Sequence, residues 1–275
     1  MNFDRYRLQA GLESILGCGD VAQWSGFKTA FINHQLTPQD IQLLSEAANF
    51  DAADTYYKGL LTLSDAIGAI GSGFQSWAVI KLYYSVFYFL RCYIYSHNKG
   101  IVKNNGIFLL DFVQGAGPVK YDKGRRNGVD VKGDHKTVIK IMVDLFGGAD
   151  FFQSNQIDGK LTYDWMMDMR EVVNYRERVF HEPNCEYFDA RALDNSRIGG
   201  LIAEYCTDEN KIHCFQEDHA LLALPCNLAI EVKNKMSAIL EEHPLSESQI
   251  GVLKSISKGY ANNYLEYLFD QRAQI

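Results

Sequence analysis

Arg176-Glu177-Arg178-Val179-Phe180-His181 sets a permanent cation five residues ahead of an imidazole. A guanidinium can receive an anion, and a histidine that titrates near neutrality can give or take a proton. The apolar spacing predicts a helix over 163–181. On an ideal wheel at roughly 100° per residue, Trp165, Met169, Val172, Val179 and Phe180 share one arc, widened by Met166 and Val173, and Arg176 falls near its middle. A core-facing arginine is rare unless paired, so two readings stand: a structural ion pair with a buried stem, or a cation held at a cleft for an anion. His181 lies about 140° away, by the same pitch, beside Arg170, Asn174 and Glu177. Glu177, one turn earlier, is placed to orient the imidazole. Convergence of Arg176 and His181 then needs a distorted last turn, a long reach by the arginine, or a second subunit.

Other chemistry is less well supplied. Cys206, His213, Cys214, His219 and Cys226 match no usual structural zinc spacing. The glycines around Gly115 and Gly124 form neither a phosphate loop nor a dinucleotide fingerprint, and GLESILG lacks the setting of a nucleophile elbow. No metal and no cofactor are expected. His135, at an expected helix start, is an accessory candidate or a surface residue.

The elements that must position these residues read as helices. Thr37-Pro38-Gln39-Asp40 has the form of a helix start, and 51–69 reads as an amphipathic helix closed by Gly71-Ser72-Gly73. A second helix over 74–96 makes an αα-hairpin with it. Its segment WAVIKLYYSVFYFLRCYIY is apolar on nearly every face, but it holds Lys81, Ser85 and Arg91 and has tyrosines spread along it, which predicts a central buried helix and no membrane span. The stretch 98–136 is glycine-rich, with short strands expected at 107–113 and 119–121. Further helices are expected at 137–146, 190–206, 227–243 and 247–268, and Pro183 is expected to stop the motif helix.

The class is therefore mainly α: a helical bundle with a long insertion, 98–162, between core helices. The expected division is 1–183 for the bundle and 184–275 for an acidic helical extension on the same core. The chain has 275 residues, 47% hydrophobic and 22% charged, as an ordinary globular fold requires. Six cysteines without a CxxC pair, and acid and base at the start of the chain, suggest a reduced, cytoplasmic protein. Net charge is −7, and it is unevenly spread: 182–275 carries eight bases against fifteen acids. Within 119–140, Lys120, Lys123, Arg125, Arg126, Lys132, Lys136 and Lys140 face only three acids. The stretch is either a track for a phosphate backbone or a solvated loop.

The R-x4-H spacing, on a helix that comes after a long apolar helix with a Tyr83-Tyr84 pair, resembles the HEPN superfamily of helical bundles, over about 51–183. The resemblance implies a metal-independent endoribonuclease with Arg176 and His181 as the active pair and Glu177, Asn174 and Arg170 as accessory residues. In such enzymes two protomers join so that both motifs line one cleft. The ribose 2′-hydroxyl attacks the neighbouring phosphate, leaving a cyclic phosphate and a 5′-hydroxyl. His181 would move the proton and Arg176 would stabilise phosphoryl charge. Lys120, Lys123, Arg125, Arg126, Lys132 and Lys136 would serve RNA binding. A toxin or anti-phage role, and a regulatory nucleotidyltransferase or ATPase partner, are implied only by the same resemblance. The family often has Asn, Asp or His after the motif arginine, where this chain has Glu177. That departure leaves open a non-catalytic module that binds a protein or nucleic acid within a larger assembly.

Overall fold

The computed structural model describes residues 4–182, 186–240, 243–257 and 268. The fold is mainly α, with only small antiparallel strand pairings among the described residues. Two compact units divide the chain discontinuously: residues 1–54 with 90–145, and residues 55–89 with 146–275.

The first unit opens with α1 (Arg7–Ile15) and α2 (Lys28–Asn33). It continues into the start of α3 (Pro38–Gly71), one 34-residue helix joining the two stretches that the sequence suggests separately. Thr37 and Asp40 form a reciprocal capping pair: the Asp40 N–H donates to Thr37 Oγ1 at 3.2 Å, and the Thr37 N–H donates to Asp40 Oδ2 at 2.9 Å. Asp51 accepts the Arg7 and Leu8 amides at 2.8 and 2.9 Å, so α3 caps N-terminal donors of α1 that have no partner within that helix. The end of α4 (Gln75–Tyr95) leads into a three-stranded sheet of β1 (Lys99–Lys103), β2 (Ile107–Asp111) and β3 (Val119–Lys120). β1 has no counterpart in the sequence reading, because Lys99-Gly100 and Lys103 dilute its apolar centre. Gly100 lets Leu8 pack close against the strand: a Cβ would stand 2.4 Å from Leu8 Cδ2, so the leucine would have to shift.

The basic stretch folds as a hairpin of β4 (Arg125–Arg126) and β5 (Val129–Asp130), turned by Asn127-Gly128 with both residues at positive φ. That is the backbone of a two-residue type I′ turn. α5 (Gly133–Phe146) comes next, starting four residues earlier than expected.

The second unit holds the rest of α3 and most of α4. Gly73, at φ 82°, ends α3 with Phe74 N–H on Ala69 C=O and Gly73 N–H on Ile70 C=O, the paired bonds of a Schellman stop. The two helices meet at Gly59, where the Phe89 ring lies so close that a Cβ would stand 2.5 Å from its Cε1. Ser85 Oγ donates to Gly59 C=O at 3.0 Å, and Lys81 pairs with Asp65 at 2.8 Å. Among the described residues no helix is long and apolar enough to cross a membrane.

Beyond the small hairpin of β6 (Gln156–Ile157) and β7 (Lys160–Leu161) comes α6 (Thr162–Glu171), which passes into a π-helical turn over Val172–Arg176. The helix expected to reach His181 therefore ends five residues sooner. Pro183 and Cys185 lie outside the described residues. α7 (Ile198–Thr207) is shorter than the expected 190–206 helix, because Asp189 and Asp194 turn their carboxylates onto the amides of Arg191 and Ser196 and hold the chain in turns. α8 (Glu217–Ile239) begins ten residues before the expected start and runs through Pro225. α9 spans Glu247–Ser257, and the expected continuation over 258–267 lies outside the described residues.

Gly59→Ala tests the helix contact. Alanine favours a helix by up to about 1 kcal/mol, but overpacking a buried ring costs about 1–3 kcal/mol. The expected result is a net loss of stability in chemical denaturation, and a gain would show that Phe89 does not rest on that backbone.

Candidate functional site

The sequence places the motif arginine in the core; the structure exposes it. Trp165, Met166 and Val173 are buried as the wheel requires. The Glu177 N–H then bonds to Val172 C=O at 3.0 Å, an i to i−5 closure that adds one residue to the turn. One extra residue rotates the downstream side chains by roughly 100°, which carries Arg176 off the apolar arc. Its side chain is 58% exposed, and Nη2 meets Asp168 Oδ1 at 3.0 Å and Glu171 Oε2 at 3.4 Å. Val179 and Phe180, expected on the same buried arc, are exposed too. π-turns inside helices recur at functional sites.

The buried arginine of the motif helix is Arg170. It is 8% exposed, its guanidinium lies 4.9 Å over the Tyr83 ring and 5.9 Å from that of Tyr175, and Nη2 meets Glu171 at 3.3 Å. Its Nε is buried without a hydrogen bond. Arg170 thus joins α6 to α4 by stacking, a structural part. Burial pushes the Tyr83 phenol well above its ordinary range, so a neutral ring faces the cation.

Past Arg176 the chain leaves helical geometry: Glu177 has φ −72° and ψ 137°. The 140° separation of an ideal helix therefore does not apply to His181. The imidazole is 52% exposed, with Nε2 3.8 Å from Glu177 Oε1. The same Glu177 oxygen accepts a hydrogen bond from the Tyr187 hydroxyl, and Oε2 is buried without a partner. Glu182 anchors the segment by accepting from Ser76 N–H at 2.7 Å and Ser76 Oγ at 2.9 Å, at the start of α4. Asn174 is half-buried on the π-turn. Exposed apolar side chains flank the pair: Tyr175, Val179 and Phe180, with the Phe180 ring set edge-on to exposed Trp77 at 5.5 Å. Trp77 is a part of this neighbourhood that spacing within the motif does not reveal.

The acids around Arg176 are themselves engaged. Lys160 Nζ meets Asp168 Oδ2 at 2.6 Å, and this bond, with Arg176 adding to it, holds the Asp168 carboxyl below the usual carboxylate range. A substrate phosphate must compete with Asp168 and Glu171 for the guanidinium.

The candidate RNA-binding cations belong to the first unit. Lys120, Lys123, Arg125 and Lys132 are exposed, and Arg126 and Lys136 are half-buried. Asp130 is shared by Arg125 and Lys132, each at 3.5 Å, and Lys120 stands 3.9 Å from Asp122. His135 is half-buried on α5. No family model, curated protein or solved structure matches the chain.

Asp168→Asn is expected to cost less than about 1 kcal/mol at neutral pH, as partly exposed ion pairs do. Because the folded pKa is lowered, this contribution is full above the unfolded carboxylate pKa of about 4 and is lost as pH falls through the folded value. Denaturation of wild type and variant should therefore differ at neutral pH and converge in acid; a gap that widens in acid contradicts the pairing.

Proposed function

We propose that the chain is a metal-independent endoribonuclease of HEPN type, with Arg176 and His181 as its catalytic pair. The observation that carries this reading is the shape of the motif segment. A π-turn followed by irregular chain holds both side chains in solvent among Tyr175, Val179, Phe180 and Trp77, where RNA or a second protomer can reach them. The guanidinium would bind the scissile phosphate and stabilise charge on its non-bridging oxygens. The ribose 2′-oxygen would bond to phosphorus while the bond to the 5′-oxygen breaks, and His181 would move the proton. Glu177, held by Tyr187, is placed to orient the imidazole. Two protomers meeting through the exposed aromatic face would set both motifs in one cleft. The basic hairpin would supply sequence-independent attraction for the RNA backbone. A toxin or anti-phage role, with a nucleotidyltransferase or ATPase as restraint, belongs to this reading.

One observation favours a second reading, a non-catalytic binding module. Arg176 already satisfies two carboxylates, and a third, Glu177, stands beside His181.

Cleavage of single-stranded RNA in the presence of EDTA separates the two readings. The expected products end in a cyclic phosphate and a 5′-hydroxyl, and Arg176→Ala and His181→Ala should each slow cleavage by about 100-fold or more. If both variants cut as wild type does, the pair is not catalytic. Asp168→Asn combined with Glu171→Gln should strengthen RNA binding by freeing the guanidinium. Light scattering should give a dimer that Trp77→Asp splits into monomers with loss of cleavage; a fully active monomer overturns the shared cleft.

A further inference from the structure

His219, in the first turn of α8, is nine-tenths buried, and its two ring nitrogens have unequal surroundings. Nδ1 sits 2.7 Å from the Tyr205 hydroxyl of α7. Nε2 points at two carboxylates, Asp189 Oδ2 and Asp218 Oδ2, each 3.8 Å away. That is too far for a hydrogen bond, so among the described residues this nitrogen has charged neighbours but no hydrogen-bond acceptor. The donor atoms of Asp189, Asp218 and His219 all lie within 4.8 Å of one another. At zinc bond lengths near 2.0–2.2 Å, donors at tetrahedral angles stand about 3.4 Å apart, so the set closes once a carboxylate turns inward. The Asp218 side chain, 60% exposed, has the freedom to make that turn.

The surroundings are built for this. Metal-bound histidines generally give their other N–H to a fixed acceptor, and the Tyr205 oxygen occupies that place. Arg191 holds Asp189 by its other oxygen, through its backbone N–H at 2.8 Å and Nε at 2.9 Å, leaving Oδ2 to face the histidine. The Asp189 N–H also bonds to Asp218 C=O at 2.9 Å, which fixes the spacing of the two segments. The His213 ring lies 4.7 Å from that of His219, tilted by 59°, but its nitrogens are taken by Glu204 and Gln216 at 3.0 and 2.8 Å. It supports the site without being a ligand.

We propose that Asp189, Asp218 and His219 bind one divalent transition-metal ion of the zinc class, fastening the turn at Asp189 to the start of α8. Two hard carboxylates with one imidazole suit zinc or cobalt, whereas magnesium and calcium prefer all-oxygen sets. Three protein ligands leave a position open, as in zinc sites that bind a further water or substrate. Asp218 also lines a cavity of about 360 Å³ with Trp165, Met169, Glu186, Tyr187 and Glu217. The site is independent of the ribonuclease reading, because neither Arg176 nor His181 supplies a donor.

The full chain, stripped with chelator and dialysed, should bind one equivalent of Zn2+ in calorimetry and melt at higher temperature with it. Cobalt(II) should give ligand-field bands without thiolate-to-cobalt charge transfer, which distinguishes this set from Cys206, Cys214 and Cys226. Asp218→Asn, at an exposed side chain, should weaken binding at least tenfold with the fold kept. Tyr205→Phe should weaken it by about 10- to 100-fold. The proposal fails if one equivalent does not bind, if Asp218→Asn leaves affinity unchanged, or if the cobalt spectrum shows thiolate ligation.

Discussion

The close seating of α4 on α3 at Gly59 governs the second unit. With no Cβ there, the Phe89 ring reaches the backbone of the neighbouring helix, and the Ser85 hydroxyl donates to the Gly59 carbonyl. Lys81 and Asp65 secure the same pair of helices further along. This sets α4 so that Tyr83 offers its face to Arg170, which in turn holds α6. The Arg176–His181 segment inherits its position from that stack and from Glu182 on Ser76.

The two long helices are legible because their signals are local and agree. A capping pair, a long apolar run and a glycine stop each act within a few residues, so the chain writes them plainly. Polar turns are harder. Asp189 and Asp194 hold turns by bonding to amides two residues on, and the same residues fit a helix start equally well. α8 runs through Pro225, which lies among buried side chains, and so begins ten residues before the expected start. The β1 strand depends on pairing with β2, a non-local partnership that five mixed residues do not declare.

At the candidate site, residue identity is legible and direction is not. A wheel at constant pitch puts Arg176 inward and Arg170 toward the polar side; the structure does the reverse. Arg170 can be buried because the Tyr83 ring receives it, and that partner lies 87 positions earlier in the chain. Arg176 turns outward because one surplus residue fits the helix end, and no single side chain announces it. The pairing of Glu177 with His181 is readable from spacing, but its hold by Tyr187 is not. The Asp189–Asp218–His219 group is illegible for a similar reason: the expected helices leave all three residues in connecting segments, and only the fold supplies their meeting.

The surplus residue in the π-turn also uncouples two parts of one segment. Upstream, Trp165, Met166 and Val173 are tied to the interior. Downstream, Tyr175, Arg176, Val179 and Phe180 are held in solvent, because the frame linking the two has slipped. Deleting one residue between them would swing the downstream side chains by roughly 100° and close the exposed face again.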